Sequence, residues 1–358
     1  MTGPLRPRDD IDDLEGYHSP QVDVSVRLNT NESPYLPPPE FVDAWLDALR
    51  SVSLNRYPDR SALRLRRALG AFLDEPPERI FCANGSNEVI QTLLLTYGGP
   101  GRRAVVFEPT YALHSHITRI TGTDLVEGER GADFTVDADA ARELVREVEP
   151  AVTFLCSPNN PTGTVEPLET IEALLEATDG LVVLDEAYGE FAPERALSLG
   201  PSAERLVVVR TYSKVWSMAA LRLGFCVAAP HAVADLEKVV LPYHLAAPTL
   251  LAGELALDHV NDMRDRVARL VVERERLVAA LGELRALTVY PSGANFVLVR
   301  VGADAQQLWE RLVARGVLVR DLSRRPRLEG CLRITVGMPD ENEACLAAMR
   351  EALEEMAA

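Results

Sequence analysis

The stretch Leu181-Val182-Val183-Leu184-Asp185-Glu186-Ala187-Tyr188 runs from four apolar residues into a polar cluster. A brief run of Val and Leu such as this one is typical of a strand buried on both faces of a sheet. Helix-like segments follow several runs of this kind. The other runs are residues 79–82, 103–107, 151–156, 205–210 and 223–229, and the helix-like segments include residues 61–73, 86–97 and 167–177. This alternation predicts an α/β fold with a mostly parallel central sheet.

The pattern changes after Pro248, where a long helical stretch covers about residues 249–281. Short apolar strands and a helix follow, and a closing helix begins at Pro339. This order predicts a second, smaller α+β domain. We therefore predict three parts, which are an N-terminal arm at residues 1–28, a large domain at residues 51–250, and a small domain formed by residues 29–50 and 251–358.

Length and composition exclude several classes of protein. The 358 residues are enough for roughly two domains of ~150 residues, and 47% of them are hydrophobic. No apolar stretch reaches the ~20 residues that a membrane-spanning helix needs, and residues 1–16 lack the apolar region of a secretory signal. We therefore expect a cytoplasmic protein that does not bind membranes. The 37 Lys and Arg residues against 54 Asp and Glu give a net charge of −17, which disfavours binding to nucleic acid.

The cysteines and histidines give no sign of a metal site. The five cysteines lie far apart and none forms a Cys-x-x-Cys pair, so we expect buried, reduced thiols. His114 and His116 are two residues apart, which on a helix directs them to different faces. We therefore predict no metal.

Polar residues follow several of the predicted strands, at the edge where open α/β sheets bind their ligands. Asp185 ends one strand, Lys214 follows a second, and residues 84–88 (Asn-Gly-Ser-Asn-Glu) open a helix after a third. Asn160 lies in the sequence Asn-Pro-Thr-Gly after a fourth. Each of them also has an ordinary explanation as a helix cap, a surface charge, a helix start or a turn. Lys214, however, is one of only two lysines in the chain, the other being Lys238.

Two arginines extend this set. Arg222 lies eight residues after Lys214, and Arg333 lies between Leu and Ile in an apolar run of the second unit. An arginine in such a strand suggests a carboxylate partner, in the protein or on a substrate. Together these residues supply what pyridoxal 5′-phosphate requires, namely a lysine amine, an acid at the pyridine nitrogen, a hydrogen bond to the phenolic oxygen and a phosphate cup. The P-loop and Gly-x-Gly-x-x-Gly patterns are absent, which disfavours nucleotide cofactors.

From about Leu14 to the C-terminus the sequence resembles the pyridoxal-phosphate-dependent aminotransferases of fold type I. Within them it resembles the histidinol-phosphate aminotransferase family. Six short motifs in a fixed order carry the resemblance. They are residues 29–34 (Asn-Thr-Asn-Glu-Ser-Pro), 56–58 (Arg-Tyr-Pro), 156–163 (Cys-Ser-Pro-Asn-Asn-Pro-Thr-Gly), 185–188 (Asp-Glu-Ala-Tyr), 213–214 (Ser-Lys) with 221–224 (Leu-Arg-Leu-Gly), and 332–337 (Leu-Arg-Ile-Thr-Val-Gly). The resemblance implies a pyridoxal-phosphate-dependent transferase fold with a large and a small domain.

The resemblance also implies a role for each cofactor residue. Lys214 would hold the cofactor covalently and, once released, move a proton as a neutral amine. Asp185 would face the pyridine nitrogen, Asn160 and Tyr188 would reach the phenolic oxygen, and Tyr111 would stack on the ring. The implied catalytic residues are thus Lys214, Asp185 and Tyr188. The residues implied to hold the cofactor phosphate are Gly85, Ser86, Asn87, Thr211, Ser213, Arg222 and, from the second subunit of a homodimer, Tyr57.

The resemblance implies three residues for the substrates. Arg333 would bind a substrate carboxylate, or the phosphate of a substrate that lacks one. Arg320 and Tyr17 match family positions that help to hold a substrate phosphate. Their ordinary explanations are a solvated charge at a strand end and a tyrosine of a mobile arm. Trp216, two residues after Lys214, departs from the family pattern and could reshape the pocket wall.

The family implies ping-pong transfer of an amino group between histidinol phosphate and 2-oxoglutarate or glutamate, in histidine biosynthesis. Residues 241–245 (Leu-Pro-Tyr-His-Leu) favour this activity. The alternatives are an aminotransferase for aromatic amino acids or a specialised metabolite, and a decarboxylase of the phosphothreonine type on the same scaffold. A ligand-sensing regulator would need a DNA-binding module, and the motifs begin by about Asn29, which leaves little room before them.

Overall fold

The computed structural model describes residues 6–12, 14, 16, 20–192, 204–302 and 304–357. Within these residues the chain forms two sheets with helices packed against them. The strands are β1 Val26–Leu28, β2 Ile80–Ala83, β3 Arg103–Glu108, β4 Asp124–Glu129, β5 Val152–Cys156, β6 Leu181–Asp185, β7 Leu206–Thr211, β8 Gly224–Val227, β9 Leu287–Val289, β10 Phe296–Val301, β11 Val317–Asp321 and β12 Cys331–Thr335. The helices are α1 Asp9–Asp12, α2 Pro39–Arg50, α3 Leu63–Leu73, α4 Gly85–Tyr97, α5 Ala112–Ile120, α6 Ala138–Val148, α7 Leu168–Ala177, α8 Pro230–Val239, α9 Ala247–Ala256, α10 Val260–Gly282, α11 Ala305–Ala314 and α12 Pro339–Ala357.

The larger sheet has seven strands in the order β2-β8-β7-β6-β5-β3-β4. Strand β8 is antiparallel to its neighbours β2 and β7, and the other neighbouring pairs are parallel. This arrangement confirms the predicted α/β fold with a mostly parallel central sheet. The register aligns Cys156 of β5 with Asp185 of β6, and Asp185 with Val209 of β7. The polar residues that follow these strands therefore reach the same edge of the sheet.

The central strands are mostly apolar because helices cover both of their faces. Every residue of β5, β6 and β7 is buried. Val183 packs on one face, in a cluster with residues of α4 and α8. Val182 and Leu184 pack on the opposite face with residues of α6 and α7. Burial on both faces removes the alternation of apolar and polar residues that marks a half-exposed strand, as the sequence pattern indicated.

The smaller sheet has five strands in the order β1-β11-β12-β10-β9. Strand β1 pairs parallel to β11, and the remaining pairs are antiparallel. Its apolar core includes residues of α10, α11 and α12. The register places Arg320 of β11 opposite Arg333 of β12. The domain boundaries stay a prediction, although β1 lies in the range predicted as an arm and pairs with this sheet.

The structure differs from the sequence expectation at several elements. The predicted helical stretch at residues 249–281 is two helices, α9 and α10, separated by the short 3-10 helix Leu257–His259. Strands β1 and β4 and helices α5, α6 and α8 were not anticipated. Strand β4 pairs only with β3 at the edge of the sheet, so half of its residues can be polar. Among the described residues, no helix combines the length and the apolar composition that crossing a bilayer requires.

Candidate active site

The ends of β5, β6 and β7 meet residues of the smaller sheet at a cavity of about 410 Å³. Both sheets and the segment between β1 and α2 contribute side chains to its wall. The lining residues are Thr30, Asn31, Glu32, Ser86, Asn87, Tyr111, Cys156, Asn160, Asp185, Ala187, Tyr188, Thr211, Ser213, Lys214, Ala219, Ala220, Arg222 and Arg333. Most of the residues that the sequence singled out therefore share one cavity.

Lys214 is the lysine of this cavity. Its Nζ donates a hydrogen bond to the carbonyl oxygen of Thr30 at 3.0 Å. Burial, followed by the charges of Arg333 and Arg222, lowers the pKa of Lys214 from its ordinary value of 10.5 to about 7, and Glu32 acts in the opposite direction. Burial has this effect because a desolvated ammonium loses hydration that the neutral amine does not need. Near neutral pH, a large fraction of this side chain is therefore an uncharged amine that can attack an aldehyde or accept a proton.

Asp185 is fixed at the end of β6 by two donors. His114 of α5 places its Nε2 3.0 Å from Asp185 Oδ2, and the backbone N–H of Ala187 donates to Oδ1 at 3.0 Å. His114 and Asp185 are both buried, and the imidazole stacks on Phe154 with 4.9 Å between ring centroids. The carboxylate thus has a fixed direction at the wall of the cavity. Sequence reasoning missed this role of His114, since it considered the residue only as a metal ligand.

Tyr188 and Asn160 lie near Lys214 with their polar groups held by other residues. The Tyr188 hydroxyl accepts a hydrogen bond from Asn31 Nδ2 at 2.9 Å, and Lys214 Nζ lies 5.7 Å from the centroid of the Tyr188 ring. Burial raises the pKa of Tyr188 well above its ordinary range, so the hydroxyl keeps its proton. Asn160 accepts a hydrogen bond through Oδ1 from the Arg333 guanidinium. Arg333 also donates to the carbonyl oxygen of Asn29 at 2.8 Å, which joins it to the segment after β1.

The start of α4 forms a cradle for an anion together with Arg222. No side chain caps this helix, so the N–H groups of its first turn remain available to a ligand. Gly85 has a φ of +76°, and a Cβ there would lie 2.6 Å from a terminal nitrogen of Arg222. Arg222 donates to Ser213 Oγ at 3.3 Å, and Ser213 Oγ accepts from Thr211 Oγ1 at 3.0 Å. A guanidinium, two hydroxyls and the helix N-terminus thus lie close together, which suits a phosphate.

Three of the predicted site residues that the structure describes, namely Gly85, Tyr57 and Arg320, do not line the cavity, although Gly85 is the first residue of α4, directly before the lining residues Ser86 and Asn87. Tyr57 is 79% exposed and stacks on Tyr243 with 4.5 Å between ring centroids. Arg320 is buried in the smaller sheet beside Arg333. Tyr17 lies outside the described residues.

Trp216 is a core residue and not part of the pocket wall. It is 5% exposed, stacks on Tyr212 at 5.3 Å and meets Phe72 edge-on at 5.9 Å. Conversely, Thr30, Asn31, Glu32 and Cys156 line the cavity although no role was predicted for them. The only signal for them was their place inside two of the quoted motifs.

The donor set of the cavity fits pyridoxal 5′-phosphate. Lys214 offers an amine of lowered pKa, Asp185 a fixed carboxylate, and Tyr111 a ring whose hydroxyl bonds Asn87 Oδ1 at 3.1 Å. The cradle between Gly85 and Arg222 leaves no room for a Cβ and is lined by anion-binding groups. Among the described residues, no group of His, Cys, Asp and Glu side chains is arranged to hold a metal ion. Fold and site together define a pyridoxal-phosphate-dependent enzyme of fold type I.

Comparison with known proteins narrows this class. Residues 24–348 match the family model "Aminotransferase class I and II". A histidinol-phosphate aminotransferase of Streptomyces avermitilis is 46% identical over 363 residues, which cover 97% of this chain and 96% of that protein. One from Corynebacterium efficiens is 41% identical and covers 96% of this chain and 94% of that protein. The chain belongs to the class I and II aminotransferases and, within them, to the histidinol-phosphate aminotransferase family.

A solved structure supports the fold assignment. The histidinol-phosphate aminotransferase from Sinorhizobium meliloti in complex with pyridoxal 5′-phosphate superposes with a TM-score of 0.89 and covers 98% of both chains. Its sequence identity is 23%, so this likeness establishes the fold. The family and the donor set of the cavity assign pyridoxal 5′-phosphate as the cofactor of this enzyme.

Proposed function

We propose that the enzyme transfers an amino group between histidinol phosphate and 2-oxoglutarate or glutamate, in a ping-pong cycle of histidine biosynthesis. The observation that carries this proposal is that three groups line one cavity. They are the amine of Lys214, whose pKa is about 7, and the guanidinium groups of Arg222 and Arg333. Two cationic groups, Arg222 just before β8 and Arg333 within β12, suit two anions, the cofactor phosphate and an anionic group of the substrate. The near-full-length identity to relatives of that name supports the choice of substrate.

The cofactor supplies a cationic, electron-accepting ring that stabilises negative charge on the substrate carbon. Lys214 holds the cofactor and moves a proton to and from that carbon, which its lowered pKa permits near neutral pH. Asp185, oriented by His114, presents its carboxylate to the pyridine nitrogen and keeps a proton there. Asn160 and Tyr188 donate hydrogen bonds to the phenolic oxygen. Tyr111, which lines the cavity, would pack against the ring.

The cradle at the start of α4 would hold the cofactor phosphate. The helix supplies N–H groups and partial positive charge, and Arg222 supplies full charge. Residues 85–87 form the first turn of α4, and Thr211 and Ser213 line the cavity together with Ser86 and Asn87. The residues of the cradle are Gly85, Ser86, Asn87, Thr211, Ser213 and Arg222.

Substrate anions bind on the side of the smaller sheet. Arg333 reaches the cavity from β12 and binds the carboxylate of glutamate or 2-oxoglutarate, or the phosphate of histidinol phosphate. Arg320 lies opposite Arg333 in the register and adds positive charge on that side. Tyr17, which lies outside the described residues, is included in this proposal as a further ligand of the substrate phosphate.

The active enzyme is a cytoplasmic homodimer with shared active sites. Tyr57 is 79% exposed, and Leu54 and Leu241 are 92% and 76% exposed. Tyr57 also stacks on Tyr243, which is close in sequence to Leu241. An exposed group of large apolar side chains is typical of an interface, and a second copy that covers it would receive Tyr57 at its phosphate cradle.

The proposal is tested with purified protein loaded with pyridoxal 5′-phosphate. Histidinol phosphate with 2-oxoglutarate should exceed phenylalanine and tyrosine as donors by about 100-fold or more in kcat/KM, since the latter lack the phosphate. A higher kcat/KM for phenylalanine or tyrosine would refute the substrate assignment. Release of CO2 from phosphothreonine would instead support the decarboxylase. The variant Lys214→Ala is the control and should lose turnover and the visible absorption of the bound cofactor.

A further inference from the structure

Asn31 occupies an unusual place in the wall of the cavity. It lies between β1 and α2, is 1% exposed and has a φ of 55°, in the left-handed region. Asparagine tolerates this region better than most residues because its short side chain bonds locally. Its backbone carbonyl accepts a hydrogen bond from Asn295 Nδ2 at 3.2 Å. The segment is therefore held in a specific conformation beside the site.

Thr335, at the end of β12, fixes the orientation of the Asn31 side-chain amide. The backbone N–H of Asn31 donates to Thr335 Oγ1 at 3.0 Å, and Thr335 Oγ1 lies 3.0 Å from Asn31 Oδ1. The threonine hydroxyl has one proton, and Asn31 Oδ1 is the acceptor that the described residues provide for it. The reversed amide would leave that buried proton without an acceptor, which costs free energy. The Asn31 NH₂ group therefore faces Tyr188, 2.9 Å from its hydroxyl oxygen.

This orientation decides what Tyr188 can do with its own proton. Because its oxygen accepts from Asn31, the hydroxyl proton points elsewhere, and the described residues offer no other partner for it. Tyr188 lines the cavity, so its proton is directed into that space. The charged and titratable groups around the tyrosine are Lys214, Asp185, Arg333 and the thiol of Cys156.

We propose that Asn31 is a positioning residue, which makes the Tyr188 hydroxyl a hydrogen-bond donor to the phenolic oxygen of the cofactor. The inference rests on the proposed function, because it takes the role of Tyr188 from there. The same contact links the cofactor site to the smaller sheet. Thr335 and Arg333 are two residues apart in β12, so their side chains lie on the same face of the strand. The strand that binds the substrate anion thus also fixes the amide that orients Tyr188.

The variant Asn31→Asp tests the proposal, because it keeps the shape of the side chain and replaces the NH₂ donor by an acceptor. Tyr188 would then donate to the new carboxylate, and the phenolic oxygen would lose one hydrogen bond. That oxygen would become more basic, and Lys214 Nζ, when joined to the cofactor, would hold its proton to higher pH. We expect the pH midpoint of the visible absorption change to rise by about one unit, the equivalent of one hydrogen bond.

The new carboxylate would also raise the midpoint through its charge alone. The same substitution in a Tyr188→Phe background measures that contribution, since this background has no hydroxyl to reorient. The proposal requires the shift to be larger by at least half a unit when the tyrosine is present. Equal shifts in both backgrounds, or no shift in either, would overturn it.

Thr335→Val offers a second test without any change of charge. It removes the hydroxyl that fixes the amide and should raise the midpoint in the same direction, whereas Thr335→Ser keeps the hydroxyl and should leave it unchanged. A midpoint that is the same in Thr335→Val and the unsubstituted enzyme would also contradict the proposal.

If the unsubstituted protein binds no pyridoxal 5′-phosphate, the proposed function fails and this inference with it. Normal cofactor binding with unmoved midpoints rejects the inference alone.

Discussion

Replacing Lys214 by Met should stabilise the protein without cofactor, and increasingly so as the pH falls. In the folded protein, burial lowers the pKa of Lys214 to about 7, whereas the unfolded chain has the ordinary value of 10.5. Between these two values the unfolded state binds more protons, so the lysine makes the folded state less stable as the pH falls from 10.5 to 7. Below pH 7 both states hold the proton and the penalty no longer grows. Methionine has no charge to desolvate and avoids the penalty.

The expected size of the effect follows from the difference between the two pKa values. At pH 9 the pKa of the unfolded chain exceeds the pH by about 1.5, which corresponds to a penalty of about 2 kcal/mol. At pH 6 the full pKa difference of about 3.5 applies, and the penalty is about 5 kcal/mol. The gain from Lys214→Met should thus grow by about 3 kcal/mol between these pH values. Because the amine faces the cavity, water there screens part of this cost, so a growth of about 1–3 kcal/mol is expected.

The assay is equilibrium unfolding in urea, with cofactor removed, at several pH values from 6 to 9. Lys238→Met is the matched control, because Lys238 is the only other lysine, is 72% exposed and pairs with Asp235 at 2.6 Å. The control should change the free energy of unfolding by less than about 1 kcal/mol and without a trend in pH. A gain for Lys214→Met that is the same at pH 6 and pH 9 would refute the lowered pKa.

Three further substitutions test the cradle and the carboxylate. Gly85→Ala should weaken binding of pyridoxal 5′-phosphate about 10-fold or more in a fluorescence titration, because its Cβ would lie 2.6 Å from Arg222. Gly101→Ala is the control, because Gly101 also has a positive φ but no atom near the position that a Cβ would occupy, so this variant should leave the affinity unchanged. Equal effects of the two glycine variants would show that the cradle is not the cause. Arg222→Ala should weaken the same binding roughly 10- to 150-fold, with Arg222→Lys in between, and an unchanged Kd would exclude contact with the phosphate. His114→Phe should lower the free energy of unfolding by about 1–3 kcal/mol, since Asp185 stays buried with one donor fewer, and equal urea midpoints would contradict this.

The central strands could be predicted from the sequence because burial on both faces leaves a run of apolar residues without alternation. Strand β6 begins and ends at the predicted residues, Leu181 and Asp185. Strand β4 could not be found this way, since an edge strand with exposed residues has no such run. Strand β1 is three residues long, and its pairing with β11 joins positions far apart in the chain. Local patterns do not contain that information.

The candidate site was predictable where a residue follows a buried strand directly. Asp185 and Lys214 were found by this rule, and the structure places both in the cavity. Their roles stay predictions. The contacts of His114 and Asn31 could not be predicted from local sequence patterns because they are long-range. The partner of His114 is 71 residues away, and Thr335 is 304 residues from Asn31, so only the folded chain brings these groups together.

The net charge of the protein and the positive side chains of the cavity act on ligands of different size. A net charge of −17 describes the surface, and it opposes long polyanions whose many phosphates would meet that surface at once. A small phosphate or carboxylate in the cavity would instead meet the guanidinium groups of Arg222 and Arg333 at close range. Salt screens surface charges over about 8–10 Å but acts less on groups inside a partly buried site. A net charge that disfavours nucleic acid is therefore compatible with a cavity suited to small anions, so the pI of a protein says little about the sign of its ligand.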